Sequence, residues 1–195
     1  MNVLEIEKLT KKFGDFIAVD HISFSVKEGE IFGFLGPNGA GKSTTIHMIV
    51  SLLTVTNGTI KLMGKDIAKF RKFAKENIGI VPQELAIYEN MSAYENVFFF
   101  AGLYGLRGDK LKKSVAKALD FVGLTDKQHV YPEKFSGGMK RRLNIACAIA
   151  HQPKLIIMDE PTAGIDPQTR NYILQSVKKI ERRGLYDYLY KPLHG

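Results

Sequence analysis

Apolar and polar positions alternate or cluster along this chain in ways that predict its elements. Val3–Leu9 and Ile22–Val26 alternate, the period of a half-buried strand, while Ile31–Leu35 is a continuous apolar run suited to a strand covered on both faces. Lys27-Glu28-Gly29-Glu30 reads as a turn. The glycine-rich loop Gly36–Gly41 follows, then a helix over Ser43–Leu53. Thr59–Met63 and Ile78–Val81 read as further strands. From about Gln83 to Tyr131 the period changes: Ser92–Tyr104 and Lys110–Val122 read as helices separated by Gly105–Asp109. This block is expected to form a helical subdomain, about residues 84–131, inserted into a sheet-based core. A helix capped by Ser136 runs to about His151, Leu155–Met158 is a buried strand, and Pro167–Arg182 is helical. Strands alternating with helices give an α/β fold with a mostly parallel sheet.

Composition narrows the setting. The chain has 195 residues, 45% of them hydrophobic, enough for one domain with a normal core. No apolar run reaches the roughly 18 residues a membrane-spanning helix needs. The N-terminus lacks the basic-then-apolar pattern of a signal peptide. A single cysteine, Cys147, allows no internal disulfide and fits a reducing compartment. The expected location is therefore the cytosol, free or on the inner face of a membrane. The net charge of +8 is compatible with nucleic acid or an anionic surface as a partner. The basic residues are scattered, however. Their densest group, Lys110, Lys112, Lys113 and Lys117, sits at helical spacing beside Leu111, Val115 and Leu119, as on the wet face of an amphipathic helix.

Two motifs carry chemistry. Gly36-Pro37-Asn38-Gly39-Ala40-Gly41-Lys42-Ser43-Thr44 matches G-x-x-x-x-G-K-[ST], preceded by an apolar strand and followed by a helix. Glycines let successive backbone N–H groups converge on phosphate oxygens, and the helix points its unsatisfied N–H groups at the same anion. Lys42 adds a full charge near the β and γ phosphates, and Ser43 offers a hydroxyl to Mg²⁺. The second motif is the apolar strand ending in Asp159-Glu160. Its acids stand at the carboxyl edge of the sheet, where α/β folds bind ligands, and neighbouring strand residues point to opposite sides. Asp159 is expected to hold Mg²⁺, and Glu160 to orient or deprotonate an attacking water.

With these motifs the chain resembles an ABC-type ATPase, the ATP-binding subunit of an ABC transporter. Further matches follow in the family's order. Phe13, in Thr10-Lys11-Lys12-Phe13-Gly14, stands where the family stacks an aromatic on adenine. Gln83, in Val81-Pro82-Gln83, resembles the glutamine that reaches Mg²⁺ and the attacking water. Phe135-Ser136-Gly137-Gly138-Met139-Lys140-Arg141-Arg142 resembles the ABC signature, and Ala163-Gly164-Ile165-Asp166 resembles a loop along the family's dimer interface. Physically, Ser136, Gly137 and Gly138 open a helix as the phosphate loop does and form a second anion site.

The resemblance covers residues 3 to about 183. It implies a P-loop NTPase core, an N-terminal antiparallel β subdomain and the inserted helical subdomain. It implies ATP with Mg²⁺ as cofactors. Lys42, Gln83 and Glu160 are expected to carry the chemistry, with Ser43, Gln83 and Asp159 at the metal. It also implies a second ATP-binding subunit, head to tail, whose Ser136–Gly138 completes the site. An integral membrane permease is the further partner, which places the chain at the cytoplasmic face of the cell membrane; nucleic acid is not expected. Met139, where glutamine is commoner, is similar to exporters of drugs, antibiotics or polysaccharides. Tyr88, Tyr94, Phe98, Phe99, Phe100 and Tyr104 crowd the stretch near which the family's membrane partner docks. They either line that groove or pack inside the subdomain. A soluble ABC protein acting on ribosomes or DNA is the competing reading, kept open by the basic charge. A non-functional remnant of a disrupted gene is another.

After Arg183 the resemblance stops, where the family continues with another strand and a switch histidine. Residues 184–195 read as an aberrant tail, late strands of the sheet are expected to be missing, and His194 is not expected to be that histidine. One permitted codon set for Tyr186–Gly195, read a base later, gives Met-Thr-Ile-Tyr-Thr-Ser-His-Tyr-Met-Glu, which resembles the missing segment. The chain is therefore expected to be a frameshifted, truncated ABC ATPase with retained or weakened ATP binding and strongly reduced turnover.

Overall fold

The computed structural model describes residues 1–34, 37, 39–159 and 187–191, with backbone only at residues 31, 33, 159 and 187–191. Strands β1 (Asn2–Phe13) and β2 (Phe16–Lys27) form a long antiparallel hairpin closed between Phe13 and Phe16. Both run well past the alternating stretches of the sequence. Register shifts on either side of Leu9 interrupt the two-residue period, and Leu9, Thr10 and Lys11 are buried in succession. On its other edge β1 pairs with β4 (Asn57–Leu62), which pairs with the two-residue β5 (Lys65–Asp66), giving the order β2-β1-β4-β5. This is the expected antiparallel subdomain.

The second sheet is parallel. Its strands are β3 (Ile31–Gly33), β6 (Ile78–Val81), β7 (Leu155–Asp159) and β8 (Asp187–Lys191), in the order β3-β8-β7-β6. Asp187–Lys191, read from the sequence as part of an aberrant tail, forms a strand in the slot between β3 and β7. Residues Ile31–Gly33 and Leu155–Asp159 both present backbone groups to that slot. Asp-Tyr-Leu-Tyr-Lys has enough β propensity to pair with them.

Five helices are described: α1 (Lys42–Ile49), α2 (Arg71–Asn77), α3 (Ala93–Leu103), α4 (Gly108–Phe121) and α5 (Gly137–Ile149). Ser92 caps α3 with a full capping box through Glu95, and Ser136 caps α5, accepting from the Met139 amide. Helix α2 has no apolar period to announce it, since of its residues only Ala74 is buried. The helix expected over Pro167–Arg182 lies outside the described residues.

Strand β7 is the shared wall of two cores. Leu155 and Ile157 face a cluster that joins α1 to the antiparallel sheet through Ile46, Ile49, Leu4, Leu9 and Leu62. Ile156 and Met158 face a cluster built from the helices through Val97, Val115, Leu119, Leu143 and Ile145. Covered on both faces, the strand reads as an unbroken apolar run. Helix α5 presses on the sheet closely enough that a Cβ on Gly79 would lie 2.6 Å from the Ala148 carbonyl oxygen.

Candidate nucleotide site

The phosphate loop lies between β3 and α1. Of the residues expected there, Pro37, Gly39, Ala40, Gly41, Lys42, Ser43 and Thr44 are described, while Gly36 and Asn38 lie outside the described residues. Gly41 is the N-cap of α1 at φ +78°, and no side chain caps the helix. The first turn of α1 thus starts at a left-handed glycine rather than at a side-chain cap, with the positive end of the helix facing the loop. Gly41 could be nothing else. Its φ is left-handed, and an added Cβ would stand 2.3 Å from the Ala18 carbonyl oxygen and 2.9 Å from Val19 Cγ2. The Lys42 side chain is buried, with its ammonium donating to the Pro37 carbonyl at 2.7 Å. Thr45 turns its hydroxyl back to the Gly41 carbonyl at 2.9 Å and pins the first turn. The arrangement suits an anion: a glycine turn, the positive end of a helix and a buried cation converge.

Asp159 ends β7 at the carboxyl edge of the parallel sheet, in register with Lys191 of β8. Glu160 and the stretch Ala163–Asp166 lie outside the described residues. Phe13 sits at the end of β1, 48% exposed, as a stacking surface requires. Ser136 and Gly137 are exposed at the N-terminus of α5, nothing stands within 4 Å of a Cβ built on Gly137, and Gly138 is buried beneath them.

Gln83 is exposed on the segment that follows β6, and that segment is gripped by the helices. The Arg141 guanidinium, 3% exposed, donates to the carbonyls of Pro82 at 2.7 Å and Gln83 at 2.9 Å. Asn144 accepts from the Ala86 amide at 3.2 Å. Asn96 accepts from the Tyr88 amide and donates to the carbonyls of Tyr88, Met91 and Ser92. Lys140 pairs with Glu89 at 2.5 Å. Arg141 therefore couples the glutamine segment to the signature helix. Sequence reasoning passed over it, though one signal existed: Gly138, Arg141 and Ile145 share the inward stripe of α5, and a cation on such a stripe needs a partner.

The crowded aromatics divide between the two expected roles. Tyr104 stacks on His151, Phe100 and Tyr94 pack against the helical core, and Tyr88 and Phe98 are exposed. A groove of about 870 Å³ opens between the end of α1, α2 and the end of α3, lined among others by Leu52, Ile78, Ile80, Phe100, Leu103 and Tyr104.

Residues 19–163 match the family described as ABC transporter. The chain is 51% identical over 183 residues to the linearmycin resistance ATP-binding protein LnrL of Bacillus subtilis, covering 94% of this chain and 59% of that protein. It is 40% identical to the probable multidrug ABC transporter ATP-binding protein YbhF of Escherichia coli, again over 94% of this chain but only 32% of that protein. The chain thus spans less than two thirds of the length of these relatives. Among solved structures, cbiO1 from Clostridium perfringens, described as part of the ABC transporter complex cbiONQ, superimposes with a TM-score of 0.89 at 30% identity, over 98% of this chain and 79% of that one. The chain belongs to the ABC transporter family, as its ATP-binding domain. Among the described residues no helix is long and apolar enough to cross a membrane.

Proposed function

We propose that this chain binds Mg·ATP at the phosphate loop and powers an exporter whose membrane-spanning part is a permease. The observation that carries the reading is the start of α1 at the left-handed Gly41, with the buried Lys42 ammonium beside it. Backbone N–H groups of the loop around Pro37, which has none of its own, would cradle the phosphates over residues 36–44, and Lys42 would neutralise their charge. The Ser43 hydroxyl, Asp159 and Gln83 would hold Mg²⁺, which draws charge from the phosphate oxygens when bound. Phe13 would stack on adenine. Glu160 would orient or deprotonate the water that attacks the γ-phosphate. The exposed Ser136–Gly137 step would meet the triphosphate held by a second ATP-binding subunit, head to tail. Relatives named for linearmycin resistance, multidrug transport and Nod factor export support the exporter reading. The groove beside Leu52 and Leu103 suits an apolar segment of the permease at the cytoplasmic face of the membrane.

We also propose weak turnover, because the residues after Arg183 depart from the family's pattern where its γ-phosphate histidine stands. Binding and turnover are tested separately on the purified protein. Titration with Mg·ATP is expected to show binding that Lys42→Ala removes; equal binding by that variant overturns the site. In a steady-state phosphate-release assay, a rate normal for the family and abolished by Glu160→Gln overturns the weak-turnover reading.

A further inference from the structure

Lys11 is a buried cation with an unusual set of partners. It is 8% exposed, its ammonium donates to the Thr54 carbonyl at 2.7 Å, and the Thr54 hydroxyl lies 3.4 Å away. These are neutral oxygens. The ammonium also faces the ring of Phe13, whose centroid lies 5.0 Å away. That is within the range of a cation–π contact, and such contacts strengthen as the cation loses water. Phe13 remains 48% exposed with Lys11 over its ring.

The placement of Lys11 ties the ring to the rest of the site. Thr54 belongs to the segment that leaves α1, and the same segment is stitched to β1 twice more. The Lys12 amide donates to the Thr56 hydroxyl at 3.0 Å, and the Thr56 amide donates to the Thr10 carbonyl at 3.0 Å. Across the hairpin Lys11 is the register partner of Val19, the residue against which Gly41 of the phosphate loop is packed. One lysine thus abuts the ring and the segment that leaves α1, and through its register partner Val19 it is tied to the start of that helix.

We infer that Lys11 is a positioning residue for the nucleobase: it holds the Phe13 ring from below and sets its height and electronic character for a purine on the other face. A cation under an aromatic ring draws electron density from it, and the depleted ring stacks better on an electron-rich purine than on a pyrimidine. The inference rests on the ATP reading above, and the experiment separates the two.

Isothermal titration compares the wild type with Lys11→Met, which keeps the length and loses the charge, using ATP, CTP and inorganic tripolyphosphate, each with Mg²⁺. ATP affinity is expected to fall about three- to tenfold, the preference for ATP over CTP to narrow, and tripolyphosphate affinity to stay the same. Lys11→Arg is expected to restore ATP binding, and Lys11→Met is expected to add nothing in a Phe13→Ala background. If Lys11→Met does not fold, Lys11→Gln replaces it with the same expectations, since it retains a donor for Thr54. Unchanged ATP affinity in the folded variant overturns the inference, and so does an equal loss for ATP and tripolyphosphate, which would mark a general loosening. A wild type that binds neither ligand overturns the ATP reading itself, and this inference with it.

Discussion

Tyr104 and His151 lie face to face where the helical layer meets the parallel sheet, their ring centroids 3.5 Å apart and their planes within 4°. Among the described residues neither nitrogen of His151 has a hydrogen-bond partner of good geometry. Burial pushes its pKa down to about 4, and the nearby Ile78 backbone opposes this only in part. The folded state thus favours the neutral ring, while the unfolded chain takes up a proton near the ordinary value of about 6.5. Between these values the unfolded state binds more protons, so stability rises with pH across the window and is lost as pH falls through it. The expected loss between pH 7 and pH 5 is roughly 2 kcal/mol from this residue. His151→Phe keeps the stack and removes the titration; urea unfolding at the two pH values should show the difference shrink by about that amount. At this scale the sequence was unevenly legible. The phosphate loop declared itself because its backbone geometry demands glycines in a fixed pattern, as the left-handed Gly41 against Ala18 shows. Lys11, Arg141 and His151 did not, because each owes its role to neighbours far away in the chain.

At the scale of elements, periodicity located the long helices and the buried strands well. Ser92 and Ser136 were legible as helix starts, since a side-chain cap is a local device. Helix α2 and strand β5 were not. One buries a single alanine, and the other is two residues long, so neither leaves a periodic trace. The bulged half of β1 was lost for another reason: register shifts hide a strand from an alternation test. The hold of α5 on residues 82–89 makes a further prediction. Arg141→Ala leaves the Pro82 and Gln83 carbonyls short of a buried donor, at a cost of about 2 kcal/mol. Amide hydrogen exchange should accelerate over residues 83–91 while the antiparallel sheet keeps its protection.

For the whole molecule, β7 divides the interior into two cores and β8 closes the parallel sheet beside it. The α/β class and its mostly parallel sheet were legible from the alternation of element types. The place of β8 was not, because nothing local in Asp-Tyr-Leu-Tyr-Lys says that it sits centrally. Leu189 pairs with Phe32 on one side and Ile157 on the other. Leu189→Pro would remove a ladder hydrogen bond in the middle of the sheet and is expected to cost roughly 2–3 kcal/mol. Chemical denaturation should show it, with helical and antiparallel regions unfolding together at lower urea. Separate transitions for the two regions would mean that β8 does not bind them into one cooperative unit.

The grip on the glutamine segment is made largely through its main chain. Arg141, Asn144 and Asn96 hold carbonyls and amides of residues 82, 83, 86, 88, 91 and 92, and among these contacts only the Lys140–Glu89 pair uses an outward side chain. Glu84 and Leu85 are exposed and take no part in those contacts through their side chains. These surface positions can therefore be rewritten while the linkage beneath them stays the same.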